Sequence, residues 1–214
     1  MPREIAVILA PNHVARGPRA AIISEGAFAF PGAVVPIDER LSESIRGLGG
    51  LTEAPEVFAE DHGIEELLPL LVSVRPMLRI VPIALHSISA HTAARVGAAI
   101  ADAIIGHGGG VTIVATTDLA HYADETTLEA LCTPVLESAA ALDDEALVRA
   151  IEARASRSGP VIEMCGFGAL LTAVFALRSL GASPGVIVSR GSSREVPGEM
   201  GGAVGYGAIT FAAR

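Results

Sequence analysis

Residues 111–122 of the chain read VTIVATTDLAHY, and they hold the pair of side chains best suited to chemistry. An aspartate three residues before a histidine can fix the tautomer of the imidazole and raise its basicity, while the ring moves a proton or binds a metal. Asp118 and His121 therefore form the first candidate pair, although Asp118 capping a short helix with His121 in its first turn would give the same letters. Three further positions fall at comparable places. His13 follows the apolar run EIAVILA and the break Pro11-Asn12, and His62 stands between Asp61 and Gly63 in EDHGIEELLPL, where the acids also suit a helix start. Cys165 immediately precedes GFGALLTAVFALRSL, where unpaired N–H groups at a helix amino terminus would favour a thiolate, although a buried inert cysteine would read the same way.

These side chains need elements to carry them. Residues 4–10, 78–85 and 111–116 are rich in β-branched and apolar types and read as buried strands; 20–23 and 27–30 read as short ones. Pro82 marks the second run as an edge strand or a bulge. Asp38 is placed to cap a helix reaching about Arg46, and Ser89 one over 90–105 that stops at Gly106. Residues 60–70 form an amphipathic run interrupted by Pro69; 126–141 is helical despite Pro134, and 143–155 and 166–180 are helical. Residues 185–190 and 203–212 complete the sheet, and the loop with Arg190, Ser192, Ser193, Arg194 and Glu195 is the expected cover over a pocket. Strands alternating with helices predict an α/β three-layer sandwich, a largely parallel or mixed central sheet with helices on both faces, built as a single domain over 1–214. In such a sheet, ligands collect beyond the carboxyl ends of the strands, which is where His13 and Asp118 fall.

Composition narrows the partners. With 214 residues, a formal charge of −9 and a pI near 5.1, the chain offers no basic surface for nucleic acid or anionic membrane. It has no charge-free apolar run of about 18 residues and no amino-terminal signal pattern, so a cytoplasmic protein is expected. Cys132 and Cys165 make no disulfide framework. His86, His91, His107 and Cys132 read as surface, capping or core residues. The runs GHGGG at 106–110 and GEMGG at 198–202 are loop signals.

Four separated segments, in order, resemble one family. LAPNH at His13, EDHGIExxLP at His62, TTDLAH at His121 and MCGF at Cys165 are similar to the Memo-like family, which includes the AmmeMemoRadiSam system protein B of archaea and bacteria, within the class III extradiol dioxygenase superfamily. The closing VGYGA resembles the family's last strand. The resemblance implies His13 as a metal ligand, Cys165 as the cysteine standing in for a carboxylate ligand, His121 as the acid/base with Asp118 as its neighbour, and His62 as a cleft histidine that contacts substrate. The family usually carries an earlier strand with a P-H-x-G ligand histidine, and this sequence begins after it. Either His62 or His121 then completes the ligand set, or a partner chain does, or no metal is bound.

The expected cofactor is a divalent metal, iron first, with zinc or copper as alternatives, since two imidazoles and a thiolate suit all three. The expected function is a small-molecule enzyme with dioxygenase-like oxidoreductase chemistry; the alternatives are a non-catalytic scaffold that keeps the fold, or a metal-free lyase or hydrolase. The sequence leaves the oligomeric state open; a homodimer could cover an exposed strand edge.

Overall fold

The computed structural model describes residues 5–155, 164–196, 198 and 202–212. Its centre is a five-stranded sheet in the order β5-β2-β6-β1-β7, made of β1 (Ile5–Pro11), β2 (Ala20–Ile22), β5 (Thr52–Glu53), β6 (Arg79–Leu85) and β7 (Val111–Ala115). β1 is parallel to both neighbours, with Leu9 opposite Ile83 on one side and Ala115 on the other, whereas β2 runs antiparallel to β6. The sheet is therefore mixed, and β3 (Ala27–Phe30) and β4 (Ala33–Pro36) form a separate hairpin.

Alternation along β1 shows why the sheet is covered twice. Ile5, Val7 and Leu9 enter one apolar cluster, and Ala6, Ile8 and Ala10 enter another, so every residue of the strand is buried. The first cluster is closed by α1 (Glu39–Gly49), α4 (Ala90–His107) and α7 (Phe167–Ser179). The second is closed by α2 (Pro55–Glu60) through Val57 and Phe58, and by α3 (Leu68–Val74) through Leu68. Helices on both faces of a mixed sheet give the expected three layers.

Caps set the helix ends as the sequence predicts. Asp38 accepts from Leu41 N–H at the start of α1, and Ser89 accepts from Thr92 N–H at the start of α4. α4 runs two residues past its expected end, and Gly108, at φ 92°, closes it. The run at 60–70 is not one helix: α2 stops at Glu60, a 3-10 turn covers Glu65–Leu67, and Pro69 sits in the first turn of α3, where its missing N–H costs nothing.

Pro82 corrects the reading of β6 as an edge strand. β6 is internal, but β2 pairs with it only from Ile83 to Leu85, and the next partner on that side is Ile37 opposite Ile80. The proline lies in the gap between them, where no ladder donor is required.

The last strands do not complete this sheet. β8 (Ala120–Ala123), β9 (Val186–Ser192) and β10 (Ala203–Thr210) form an antiparallel sheet of their own in the order β8-β10-β9. It packs on α5 (Glu125–Ala140), which passes through Pro134 without breaking, and α6 (Asp144–Ala155) lies beyond. Arg190 and Ser192 belong to β9, and Ser193–Glu195 is a 3-10 turn locked by a capping box between Ser192 and Glu195, so the expected loop is ordered structure. Arg190, Ser192 and Glu195, with Cys132 and Tyr206, line a groove of about 270 Å³ between α5 and the small sheet. The polar loop predicted around Ser158, Gly159 and Pro160, the run 161–163 and most of 198–202 lie outside the described residues.

α4 and α7 approach closely at Gly97. A Cβ there would lie 2.7 Å from Phe175 Cβ, 2.8 Å from the Thr172 carbonyl and 2.9 Å from Ala176 N. Gly97→Ala should gain about 1 kcal/mol of helix propensity and lose about 1–3 kcal/mol by forcing the helices apart. A net loss of about 1 kcal/mol is the expected result in urea unfolding. A variant more stable than wild type would show that the crossing relaxes freely.

Candidate functional site

Two histidine–carboxylate pairs sit at the carboxyl ends of the neighbouring parallel strands β1 and β7. The first begins where β1 stops at Pro11. Asp61, just beyond the end of α2, accepts from the backbone N–H of His13 at 2.5 Å through Oδ2, and its Oδ1 lies 3.1 Å from His13 Nδ1. The same Oδ1 accepts from Gly63 N–H at 2.8 Å. Burial works to raise the pKa of this carboxyl, but the hydrogen bonds from Gly63 and from the ring and backbone of His13 outweigh it, and Asp61 titrates below the ordinary range. His62 stacks on His13, with ring centroids 4.5 Å apart and planes within 7° of parallel. Ring lone pairs lie in the ring plane, so two parallel imidazoles do not converge on one ion until one of them turns.

The second pair lies beyond β7. His121 Nε2 stands 2.6 Å from Asp118 Oδ2, with both side chains partly exposed. His121 is in β8, not in the first turn of a helix, and β8 is held to β10 through Leu119 N–H and the Gly205 carbonyl. A neutral His121 that donates a hydrogen bond from Nε2–H to Asp118 carries its lone pair on Nδ1, the opposite arrangement to His13.

Cys165 joins this second group. Its sulfur and the Asp118 and His121 ligand atoms all lie within 4.8 Å of one another, as do the ligand atoms of His13, Asp61 and His62. The structure thus groups Cys165 with Asp118 and His121, and His13 with His62 and Asp61. Thiolate stabilisation at the helix terminus gives way to burial here. Cys165 precedes Gly166, the cap residue of α7, and so lies outside the first turn. Burial raises the thiol pKa, and the nearby Asp118 charge adds to that against hydrogen bonds from Asp118 N–H and Thr117. Metal-free Cys165 is therefore a thiol near neutral pH.

Two functional neighbours were invisible in the sequence pattern. Asp61 read as a helix-start acid, yet it binds His13; its hydrogen bond to Gly63, two residues on, is the turn signal that Asp-His-Gly offered. Arg154, only 6% exposed, donates to the Leu119 carbonyl beside Asp118 at 2.5 Å and to the Leu131 carbonyl at 2.7 Å. Nothing in EARA distinguishes it from a surface arginine in a last helical turn.

The strand ends also hold buried polar atoms in need of a guest. Asn12 Oδ1 after β1, His86 Nδ1 after β6 and Thr116 Oγ1 after β7 are buried with no hydrogen-bond partner among the described residues. Buried polar atoms are nearly always satisfied, so three on adjacent strand ends suit a polar ligand or ordered water.

Comparison with known proteins agrees with the four motifs. The family model described as Memo-like protein matches residues 2–210. The chain belongs to the Memo-like family. A MEMO1 family protein of Caldivirga maquilingensis is 31% identical over 209 residues, covering 97% of this chain and 72% of its own. MEMO1 family proteins of Methanopyrus kandleri and Thermotoga maritima are each 30% identical over the same shares of the two chains. No helix among the described residues is long and apolar enough to cross a membrane.

Proposed function

We propose that this Memo-like protein is a metal-dependent enzyme acting on a small polar molecule, with dioxygenase-like oxidoreductase chemistry and His121 as its acid/base. The observation that carries the reading is the placing of two donor groups, each built on an aspartate-held histidine and one of them including a cysteine, beyond the carboxyl ends of adjacent parallel strands, the usual place for ligands in an open α/β sheet. The donor chemistry fits a first-row ion. Imidazole nitrogen and thiolate sulfur are ligands for iron, zinc and copper, and within each of the two groups, His13 with Asp61 and His62 and Cys165 with Asp118 and His121, the separations within 4.8 Å are close to those of donors sharing an ion at roughly 2.0–2.3 Å.

The family resemblance makes His13 and Cys165 the residues that would hold the ion, with His62 the third donor once its ring turns; His13 and Cys165 stand in separate donor groups here, so their side chains would have to converge on the ion. Such an ion would polarise a substrate oxygen and, if iron, bring O₂ and substrate together. The chain's own residues do the rest. Asp118 holds the His121 ring so that one nitrogen is fixed and the other exchanges a proton with substrate. Asn12, Thr116 and His86 supply the unpaired polar atoms that would orient that substrate. The short aromatic inventory, six Phe, two Tyr and no Trp, suits a polar molecule better than a large flat ring.

Elemental analysis of protein purified anaerobically without added metal tests this, with wild type set against Cys165→Ala. The expected result is near-stoichiometric iron, zinc or copper in the wild type and a loss of at least about tenfold in the variant. Metal absent from both would remove the metal-dependent reading.

A further inference from the structure

The acid that matters most to His13 is one the metal-ligand pattern does not contain. We infer that Asp61 is the positioning residue of His13, clamping its ring with the proton on Nδ1 so that Nε2 is the ligating atom; this rests on the reading of His13 as a metal ligand.

Asp61 takes hold of His13 twice, at the backbone N–H and at Nδ1. A carboxylate bonded to both ends of one residue fixes the side-chain torsion as well as the tautomer, because the ring cannot turn without breaking the Nδ1 bond. Both Asp61 oxygens already accept from N–H groups, of His13 and of Gly63, and a carboxylate is acceptor-only, so the ring nitrogen facing Oδ1 at 3.1 Å carries the proton. The carboxylate is in turn held by Gly63 N–H, and its side chain is only 5% exposed.

Helix capping does not account for this acid. Asp61 follows the last turn of α2, the end at which the helix dipole disfavours a negative charge, and the next turn is capped by Ile64 without any side-chain bond. Packing delivers it instead. A Cβ on Gly63 would lie 3.1 Å from Asp61 Oδ1, 3.2 Å from the Pro11 carbonyl and 3.4 Å from Ala10 Cβ, so the Asp61–Gly63 turn is pressed onto the end of β1. His62, stacked on His13, restrains the ring from its face. A carboxylate that holds one ring nitrogen of a ligand histidine fixes its direction and strengthens the other nitrogen as a donor.

The test uses metal-free, ¹⁵N-labelled full-length protein and long-range ¹H–¹⁵N imidazole correlations, with His13 signals identified by their loss in His13→Gln. In the wild type His13 should be the Nδ1–H tautomer, and in Asp61→Ala the Nε2–H form should become substantially populated. An Nε2–H wild type, or an unchanged tautomer in a folded Asp61→Ala, would overturn the assignment. Should the alanine variant fail to fold, the wild-type tautomer alone decides. Cobalt(II) titration separates this inference from the reading beneath it. Asp61→Ala should bind cobalt about 10–100-fold more weakly than wild type, and equal affinity would overturn the role of Asp61. If wild type binds no cobalt while His13 keeps its Nδ1 proton, the metal reading falls and the clamp stands.

Discussion

Arg154→Met should lower the unfolding free energy by about 2–4 kcal/mol, the net of two large opposing effects. Burying a guanidinium costs several kcal/mol, and removing it returns that amount. Against this, two charge-assisted hydrogen bonds to the Leu119 and Leu131 carbonyls disappear, each worth about 1.5–3 kcal/mol. The Leu119 carbonyl, which precedes β8, also loses a buried donor, at about 1–3 kcal/mol, whereas the Leu131 carbonyl lies inside α5, where helix geometry offers it the Val135 N–H. Methionine fills most of the vacated volume, so cavity formation adds little. The second group of effects wins unless water reaches the carbonyls. Arg154→Lys should be no better, since one ammonium cannot replace a fork that spans two carbonyls and is more strongly hydrated than the guanidinium. Thermal unfolding checks this: a fall of about 5–15 °C is expected for the methionine variant, and a rise would mean that the buried charge costs more than its bonds return. The site should feel the change too, because Leu119 lies between Asp118 and the strand that carries His121.

The elements that carry the chemistry were legible in the sequence because each has a strong local signature. β1 is a continuous apolar run because it is buried on both faces, and β7, a half-buried edge strand, still reads as a strand from its β-branched residues. Asp38 and Ser89 gave their helix starts because a cap is a contact within three residues. Readings that depended on distant pairing went astray. Placing β9 and β10 in the main sheet was a matter of which strands they face, and β8, four residues long, left no period to read. Pro82 marked a missing ladder bond correctly, but only the termination of β2 shows why an internal strand tolerates it. The site divides in the same way. Asp118 and His121 are neighbours in sequence and pair as their spacing predicts, whereas Asp61 meets His13 across 48 residues and Arg154 meets Leu119 across 35. Such contacts leave no periodic trace. For Cys165 the sequence offers both a helix-terminus thiolate and a buried cysteine, and the burial beside a carboxylate that raises its thiol depends on contacts the sequence does not display.

Gly166→Ala should damage the site more than its size suggests. Gly166 has φ −102° and ψ 22°, accessible to any residue, so the cost is one of space alone. A Cβ would fall on the Thr117 side chain and the Thr116 carbonyl, both inside hard-sphere contact, and the carbonyl belongs to backbone pinned by Thr116 N–H to Leu9. One side must move. Movement breaks the hydrogen bond from Gly166 N–H to Thr117 Oγ1, which in turn bonds the Asp118 carbonyl, and so draws Cys165 away from Asp118 and His121. The expected loss is about 2–3 kcal/mol, the upper range for overpacking. Gly168→Ala is the control: its Cβ meets only the side chains of Ile88 and Leu85, which can yield, and α7 gains a better helix former. A second readout follows the thiol. Half-buried and protonated, Cys165 should alkylate slowly in metal-free wild type at neutral pH and faster as pH rises; in Gly166→Ala the rate should rise about tenfold or more. Peptide mapping separates it from Cys132, which is buried in the core cluster. Equal melting temperatures and equal alkylation rates in wild type and Gly166→Ala would mean that the two strand-end segments are not locked together, and that Cys165 is free to leave the histidine pair without a change in the fold.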